Sequence, residues 1–401
     1  ITAVSTQIDV KTAKAALFPS LSFSTGHQVV NRPYQETSSR VSGSEIISSN
    51  SKTSYNGNYG LNASWTLYNG NKRLKTIQQE KLNNQMAELD VATSENNIQE
   101  SIAQVYIQIL YAAESVKVNE NTLQVSIAQR DRGQELLNAG SIAKSDLAQL
   151  EAQVSTDRYQ LVTAQATLED YKLQLKQLLE LDGENEMNIY LPALSDENVL
   201  APLPTKRDVY ISALSLRPEI EASKLNVEAS ELGINIAKSS YFPTISLSAG
   251  IGTNHTSGSD FTFGEQVKNG WNNSIGLSVS VPIFNNRQTK SAVQKAKLQY
   301  ETSMLSLLDE QKALYKTIES LWLDANSAQQ RYAAANEKLK STQISYELIS
   351  EQFNLGMKNT VELLTEKNNL LQAQQEQLQA KYMAILNTQL LKFYQGDQLA
   401  I

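Results

Sequence analysis

Three short landmarks in the first half of this 401-residue chain recur in the same order in the second half, roughly 220 residues later. They are AKAALFPSLS at 13–22 with AKSSYFPTIS at 237–246, GLNASWTLYN at 60–69 with GLSVSVPIFN at 276–285, and Asn138-Ala139-Gly140 with Asn354-Leu355-Gly356. A repeat this long indicates an old tandem duplication and not a short-repeat solenoid. We therefore predict two similar structural repeats, residues 1–200 and 201–401.

Each repeat contains two segments in which apolar and polar residues alternate, the pattern of an amphipathic strand. In the second repeat, for example, Ile275, Leu277 and Val279 alternate with glycine and serine. The predicted strands cover about 18–27, 58–68, 242–252 and 273–284. The stretches between them, 27–58 and 252–273, are rich in polar residues and are predicted to be loops.

These strands suit a membrane barrel, because a strand of about nine to eleven residues crosses a bilayer and an open amphipathic sheet would leave exposed edges. If the strands run out and back, aromatic residues collect at their two ends. The near end would hold Phe18, Trp65, Tyr68, Tyr241, Phe242 and Phe284, and the far end Tyr55, Tyr59 and Trp271. Two such girdles are typical of a membrane barrel. The alternative is that aromatic residues end the buried strands of a soluble sandwich.

Long helices account for most of the remaining sequence. Apolar residues alternate at spacings of four and three from Leu314 to Phe353, which is a heptad seam. Glycine after Asn138 or Asn354 is typical of a helix end and reversal. We predict antiparallel helical hairpins over about 71–181 and 286–394, joined by an irregular segment at about 183–217 that contains three prolines.

Composition excludes several classes of function. A net charge of −7 without basic runs argues against nucleic acid as a partner. No apolar run is long enough for a transmembrane helix. His27 and His255 fall in the predicted polar loops, where we expect solvated side chains and not metal ligands. We find no catalytic constellation and no phosphate-binding loop, so we expect no enzyme activity, no cofactor and no metal.

The landmarks together resemble the outer membrane factor family, the TolC-like channels of efflux and secretion systems. The resemblance covers essentially the whole chain. It rests on Phe18-Pro19-Ser20-Leu21 and Phe242-Pro243-Thr244-Ile245, on Pro282-Ile283-Phe284-Asn285-Asn286-Arg287, on Arg217-Pro218-Glu219-Ile220, and on the two glycine turns. Their order, duplication and spacing carry the resemblance more than any single motif does.

The resemblance implies a mainly α-helical chain with membrane β-strands that forms a homotrimer in the bacterial outer membrane. Four strands from each chain would close a 12-stranded transmembrane β-barrel in contact with outer membrane lipid. A long antiparallel coiled-coil barrel would continue it as a tunnel into the periplasm, with the segment at 183–217 in an equatorial belt. The implied partners are a periplasmic adaptor (membrane fusion) protein and an inner-membrane transporter of the RND, ABC or MFS type.

Four residues near the tips are candidates for the tunnel entrance. Asp146 and Glu362 each lie six residues past a tip glycine, and in a trimer each would form a ring of three carboxylates. In the family, the second tip often carries two inward acids. Glu362 matches the first, whereas Thr365 stands at the second with Glu366 beside it. The alternative for Asp146 and Glu362 is a favourable interaction with a helix N-terminus.

The turns themselves are predicted to be the surface on which the adaptor docks. They comprise Asn138, Ala139, Gly140 and Ser141 in the first repeat, and Asn354, Leu355, Gly356 and Met357 in the second. A plain tight turn would explain the same residues, and the two interpretations are compatible.

Two hypotheses for function follow. The first is a passive trimeric conduit that carries substrates from pump components across the outer membrane in a tripartite efflux or type I secretion system. The second is a soluble coiled-coil scaffold or adhesin stalk with a small β head. The apolar face of the strands distinguishes them, because a soluble head must bury that face within itself.

Overall fold

The computed structural model describes residues 1–34, 38–42, 45–49, 52–181, 189–190, 192, 199–259 and 261–399. The chain divides into two compact units, Ile1–Leu89 with Ala222–Leu307 and Asp90–Glu221 with Leu308–Ile401. Each unit draws on both halves of the sequence. The compact units therefore do not coincide with the proposed repeats at 1–200 and 201–401.

The first unit contains a four-stranded antiparallel sheet. Its strands are β1 (Ser20–Asn31), β4 (Thr53–Asn69), β5 (Thr244–Thr256) and β6 (Asn272–Ser280), in the order β1-β4-β5-β6. A separate hairpin comprises β2 (Ser38–Ser42) and β3 (Glu45–Ser49). Pro19 and Pro243 lie immediately before β1 and β5. Proline disfavours helical geometry in the residue before it, so each proline ends the preceding helix and the strand follows.

The strands differ from their predicted ranges, chiefly because polar residues continue them. β1 and β4 extend well into the stretch 27–58, which also contains β2 and β3, so its prediction as a loop is wrong over these ranges. Residues 35–37, 43–44 and 50–51 of that stretch lie outside the described residues. The stretch 252–273 includes the end of β5 and the helix α6 (Phe263–Asn269). β6 ends at Ser280 and not near 284, close to Pro282, which has no N–H for a sheet hydrogen bond.

Strand register gives the sheet one apolar face. Rows of paired residues cross all four strands, as in Leu21, Ala63, Ala249 and Ile275. The opposite face carries mainly serine, threonine, asparagine, glutamine and glycine. Large apolar side chains on the first face are solvent-exposed in the chain, and Ile275 reaches 83% exposure. The sheet thus lacks a core of its own on this face.

The two connections from strand to helix have the same backbone conformation. Gly70 and Asn71 adopt φ values of 67° and 63° before the helix α2 (Lys72–Asn138), and Asn286 and Arg287 adopt 51° and 65° before the helix α7 (Gln288–Asn354). Two successive left-handed residues turn the chain sharply, and glycine and asparagine accept this conformation best. At Gly70 a Cβ would also approach the Ser239 carbonyl oxygen to 2.7 Å.

The long helices are α2 (Lys72–Asn138), α3 (Lys144–Leu178), α7 (Gln288–Asn354) and α8 (Thr360–Gln395). The others are α1 (Thr2–Ala15), α4 (Lys206–Leu216) and α5 (Pro218–Lys238). The predicted heptad seam of α7 is confirmed, since Leu314, Ile318, Ala325 and Tyr332 are buried. No helix among the described residues is long and apolar enough to span a membrane.

The second unit has its main hydrophobic core where α4 meets α7 and α8. The cluster contains Val209, Ala213, Ile220, Leu314, Ile318, Ala325, Leu391 and Tyr394. The segment 183–217 is therefore not irregular throughout, because α4 occupies Lys206–Leu216 with Thr205 as its N-cap. The apolar spacing of Val209 and Ala213 could have predicted this short helix. Residues 183–188, 191 and 193–198 of the segment lie outside the described residues.

Candidate functional site

Both helical hairpins reverse through the same glycine turn. In the first, Gly140 adopts φ 77°, its N–H donates to the Leu137 carbonyl, and the Ser141 N–H donates to the Leu136 carbonyl. In the second, the N–H groups of Gly356 and Met357 donate to the carbonyls of Phe353 and Gln352. This pattern is a Schellman motif, which satisfies the last carbonyls of a helix and favours glycine. The turns predicted from sequence therefore have the geometry that glycine demands.

All eight predicted docking residues of the two turns are solvent-exposed. They are Asn138, Ala139, Gly140, Ser141, Asn354, Leu355, Gly356 and Met357. Leu355 and Met357 each have 70% of their surface exposed. A Cβ added to either glycine would meet nothing within 4 Å. Only backbone conformation, not crowding, thus restricts these two positions within the chain.

Asp146 and Glu362 are the third residues of α3 and α8, and both carboxylates bind the backbone at the start of their helices. The Asp146 Oδ2 accepts from the Ala143 N–H at 3.1 Å, and the Glu362 Oε2 accepts from the Asn359 N–H at 3.2 Å. At the second tip the Asn359 side chain accepts from the Glu362 N–H, which completes a capping box. Alanine at 143 cannot make that return bond. The helix-end interpretation therefore holds for both acids.

Glu362 has a second partner, because the Lys358 Nζ donates to its Oε1. The hydrogen bond from Lys358, followed by the bond from the Asn359 backbone, lowers the pKa of Glu362 below its usual 4.5. Its carboxylate is thus held ionised in the chain, and both of its oxygens are engaged within the tip.

The other two candidates differ from each other. Thr365 is exposed, and its hydroxyl donates to the Val361 carbonyl at 2.8 Å. The Glu366 Oε2 accepts from Ser345 of α7 at 3.2 Å, which turns this partly buried carboxylate toward the neighbouring helix. The structure therefore places Glu366 against α7, while Thr365 lies on the exposed surface of α8.

Six of the nine predicted girdle residues lie at the two ends of the sheet. Strand pairing puts Trp65, Tyr68, Tyr241, Phe242 and Phe284 at the end where β1 and β5 begin, and Trp271 at the opposite end. A one-residue bulge between Thr66 and Tyr68 brings Tyr68 to the same face as Trp65. The Trp65 Nε1 donates to the Leu17 carbonyl at 2.7 Å. All except Tyr68 are largely exposed in the chain.

A buried charge pair near the tips was not predicted from the sequence. Lys367 of α8 contacts Asp157 of α3 and Ser126 of α2, and all three side chains are buried. Burial lowers the pKa of Lys367, while the hydrogen bond and charge of Asp157 oppose this shift. Because Lys367 and Asp157 both fall at seam spacing between apolar residues, charged seam positions were the signal that could have revealed the pair.

The Arg217-Pro218-Glu219 motif forms a second buried cluster. Pro218 begins α5, and Arg217, with 6% of its surface exposed, lies just before it. The Arg217 Nε donates to Glu219 at 2.8 Å, its Nη1 approaches Glu100 of α2, and its guanidinium lies 4.3 Å from the Tyr394 ring centre. Burial raises the pKa of Glu100 and raises that of Tyr394 to about 12. The motif thus joins α2, α5 and α8 in one polar cluster.

The two histidines are not in loops, contrary to the prediction. His27 lies in β1 and His255 in β5, and both flank Gly57 of β4. Sequence reasoning ended both strands too early, because it took polar residues at the strand ends for loop. Among the described residues, no group of three or more His, Cys, Asp or Glu side chains could hold a metal ion.

Comparison with known proteins identifies relatives over most of the chain. The family model "Outer membrane efflux protein" matches residues 4–180 and 209–396. The outer membrane efflux protein BepC of Brucella suis biovar 1 (strain 1330) is 24% identical over 73% of this chain and 61% of its own length. The outer membrane protein TolC of Escherichia coli (strain K12) is 24% identical over 71% of this chain and 58% of its own. The chain thus spans about three-fifths of each relative.

Solved structures share the fold. The crystal structure of CusC matches 99% of this chain and 87% of its own with a TM-score of 0.80 and 18% identity. That of VceC from Vibrio cholerae matches 100% and 92% with a TM-score of 0.78 and 16% identity. The predicted fold class, a mainly α-helical chain with four strands of a TolC-like β-barrel, is confirmed by this likeness. The family match likewise confirms the predicted outer membrane location.

With a family model that matches both halves and a fold shared from end to end, the chain belongs to the outer membrane efflux protein family.

Proposed function

We propose that this chain is one subunit of a homotrimeric channel-tunnel in a tripartite efflux or type I secretion system. The channel conducts its substrates passively from pump components to the cell exterior. The observation that carries the proposal is the four-stranded sheet, which has two unsatisfied edges and one exposed apolar face.

The edges argue for other copies of the chain. β1 and β6 each pair along one side only among the described residues, and neither edge is covered by an antiparallel partner. Unpaired edges invite further pairing, and closure into a barrel removes them. Three chains would bring β1 of one subunit to β6 of the next and close 12 strands.

The faces argue for a bilayer. The apolar face would point to lipid, with Trp65, Tyr68, Tyr241, Phe242 and Phe284 at one interface and Trp271 at the other. The opposite face would line the lumen with serine, asparagine and glycine. A lumen of this kind is wide and polar, which suits conduction without chemistry.

The glycine tips are proposed to be the periplasmic entrance and the surface that meets an adaptor protein. Leu355 and Met357 are exposed apolar side chains at the second tip, and such side chains are typical anchors of a protein interface. An inner-membrane transporter of the RND, ABC or MFS type would supply the energy. Rings of Asp146 and Glu362 are proposed to give the entrance its preference for cations, with Thr365 and Glu366 beside them.

The test is the mass of the protein extracted from cell envelopes, measured in detergent and again after detergent removal. We expect a detergent-dependent particle containing three chains of 44.4 kDa, or about 133 kDa of protein. A monomer or dimer that stays soluble without detergent would overturn the proposal and support a scaffold. Leu277→Arg places a charge on the proposed lipid face and should block assembly, whereas Ser278→Arg, next to it on the lumen face, should assemble.

Conductance tests the entrance. In planar bilayers the Glu362→Gln trimer should show a weaker preference for cations than the parent, because three negative charges are removed. An unchanged ratio of cation to anion permeability would remove Glu362 from the proposed gate without affecting the proposed trimer.

A further inference from the structure

The two histidines of the chain are neighbours on one face of the sheet. His27 pairs with Gly57, and Gly57 pairs in turn with His255, so both imidazoles stand on the strands that flank β4. Their ring centres are 6.3 Å apart. They share this face with Leu61 and Ile251, at the end of the sheet opposite Trp65. The sequence contains two histidines and no cysteine. This arrangement therefore brings both imidazole groups of the chain together.

The Nδ1 atoms of His27 and His255 both lie close to the position that a Cβ of residue 57 would occupy. A Cβ on Gly57 would lie 2.6 Å from the His255 Nδ1 and 3.1 Å from the His27 Nδ1. Any side chain at position 57 would therefore collide with the His255 ring, whose Cε1 would lie closer still to that Cβ. Glycine thus allows both imidazoles to lie close to the backbone of β4.

A third polar atom borders the same pair, since the Tyr55 hydroxyl is 2.7 Å from the His27 Nδ1. By contrast, the His255 Nδ1 is buried and has no hydrogen-bond partner among the residues that the structure describes. A buried polar atom without a partner is uncommon and points to a missing ligand.

Aromatic rings fix the two imidazoles. Tyr59 stacks on His255 at 6.0 Å, and Phe263 packs edge-on against it at 5.0 Å. Tyr55 stacks on His27 at 5.7 Å. Such packing limits rotation of the imidazole rings.

We propose that His27, His255 and Tyr55 form a binding site for a divalent copper ion on the outer face of the sheet. Imidazole nitrogen suits copper and zinc, and Cu²⁺ accepts nitrogen and oxygen ligands together. Bonds from a metal to imidazole are about 2.0–2.1 Å, so adjacent ligand atoms lie about 3 Å apart. The 2.7 Å between the His27 Nδ1 and the Tyr55 hydroxyl oxygen is close to this value, and the His255 Nδ1, which has no partner among the described residues, supplies the third ligand atom. The bound ion would tie β1, β4 and β5 together.

Electron paramagnetic resonance of the intact detergent-solubilised protein tests the site. The protein is purified without a polyhistidine tag, treated with chelator and titrated with Cu²⁺ alone. We expect one Cu²⁺ per chain, with coupling to two imidazole nitrogens in the spectrum. The metal-free protein should also melt at a lower temperature than the Cu²⁺ form.

Variants separate the site from binding elsewhere. His27→Gln and His255→Gln should each weaken Cu²⁺ binding at least about tenfold, since each removes one of few ligands. Gly57→Ala keeps both imidazoles but puts a methyl group between them, and it should also weaken binding. Asn254→Ser, a neighbour of His255 on the opposite face, is the matched control and should bind as the parent does.

Two results would overturn the proposal. One is a parent spectrum without imidazole nitrogen coupling. The other is equal Cu²⁺ affinity in the parent and in a folded His27→Gln/His255→Gln double variant. Neither result bears on the channel, because the particle mass and the conductance are measured separately.

Discussion

The two hairpin tips share a backbone but differ in their side chains. Both turns end a helix with a left-handed glycine, at φ 77° for Gly140 and 74° for Gly356. The first tip exposes Ala139 and Ser141, whereas the second exposes Leu355 and Met357. The two tips thus share the reversal but present different surfaces.

The first turns of the helices that follow the two tips also differ in their side-chain hydrogen bonds. At the second tip Asn359, Glu362 and Lys358 form a capping box with an added ion pair. At the first tip Ala143 leaves the box half complete. The second tip therefore has more hydrogen bonds at its helix start and exposes more apolar surface, which makes it the stronger candidate for both docking and gating.

The largest effect is expected for the buried contact of Lys367 with Asp157, which joins the two helical hairpins. Lys367→Ala leaves Asp157 buried without its partner, and it should lower the free energy of unfolding by about 3–5 kcal/mol. Denaturant unfolding of the detergent-solubilised protein measures this change.

A double variant provides the control for that link. Lys367→Met with Asp157→Leu replaces the pair by apolar groups and should recover most of the loss. If Lys367→Ala were as stable as the parent, the buried pair would not hold the hairpins.

Glycine replacement tests whether the two turns are equivalent. Gly140→Ala and Gly356→Ala should each destabilise by about 1–2 kcal/mol, because alanine pays the full cost of a left-handed backbone and meets no new contact. Thermal unfolding should give the same loss for both. A loss at one tip alone would show that the turns differ in more than side chains.

Capping variants should make the tips more alike. Asn359→Ala removes the second cap and should cost about 1 kcal/mol, while Ala143→Asn completes the first box and should gain a similar amount. Melting temperatures of both variants provide the measurement. Asn138→Ala, at a helix end with no capping role, is the control that should change little.

The smallest effect concerns pH. The lowered pKa of Glu362 means that its contribution to the stability of the second tip is present above the unfolded pKa and is lost as pH falls through the folded value, below 4.5. The difference in melting temperature between the parent and Glu362→Gln, measured at each pH, isolates this contribution. Lys358→Met removes the largest cause of the shift and should move the loss to higher pH. A loss that begins well above pH 4.5 in the parent would contradict the lowered pKa.

Much of the fold could be predicted because its signals are local. Proline after Phe18 and Phe242, alternation in β6 and the seam of α7 each report on backbone geometry within a few residues. The ends of the strands could not be predicted in this way. Asn31, Thr53 and Thr256 are polar, and they join the sheet through backbone hydrogen bonds that any residue can make.

Side-chain partners were harder to predict than elements. The first helical turn, which was the alternative position for Asp146 and Glu362, could be anticipated because a helix start is set by neighbours in sequence. The Lys367, Asp157 and Ser126 contact was missed, since it joins residues from three helices that are far apart in the chain. The two histidines were misplaced for another reason, since polar residues at the ends of β1 and β5 were taken for loop.

The sequence by itself determined the duplication, the long helices, the four amphipathic strands and the glycine reversals, because periodicity and backbone preference are properties of neighbouring residues. Only the tertiary structure decided that Gly57 separates His27 from His255, that Lys367 is buried against Asp157, and that Arg217 joins three helices. These contacts depend on strand register and helix rotation, and a shift of one residue in either would separate the atoms that now meet.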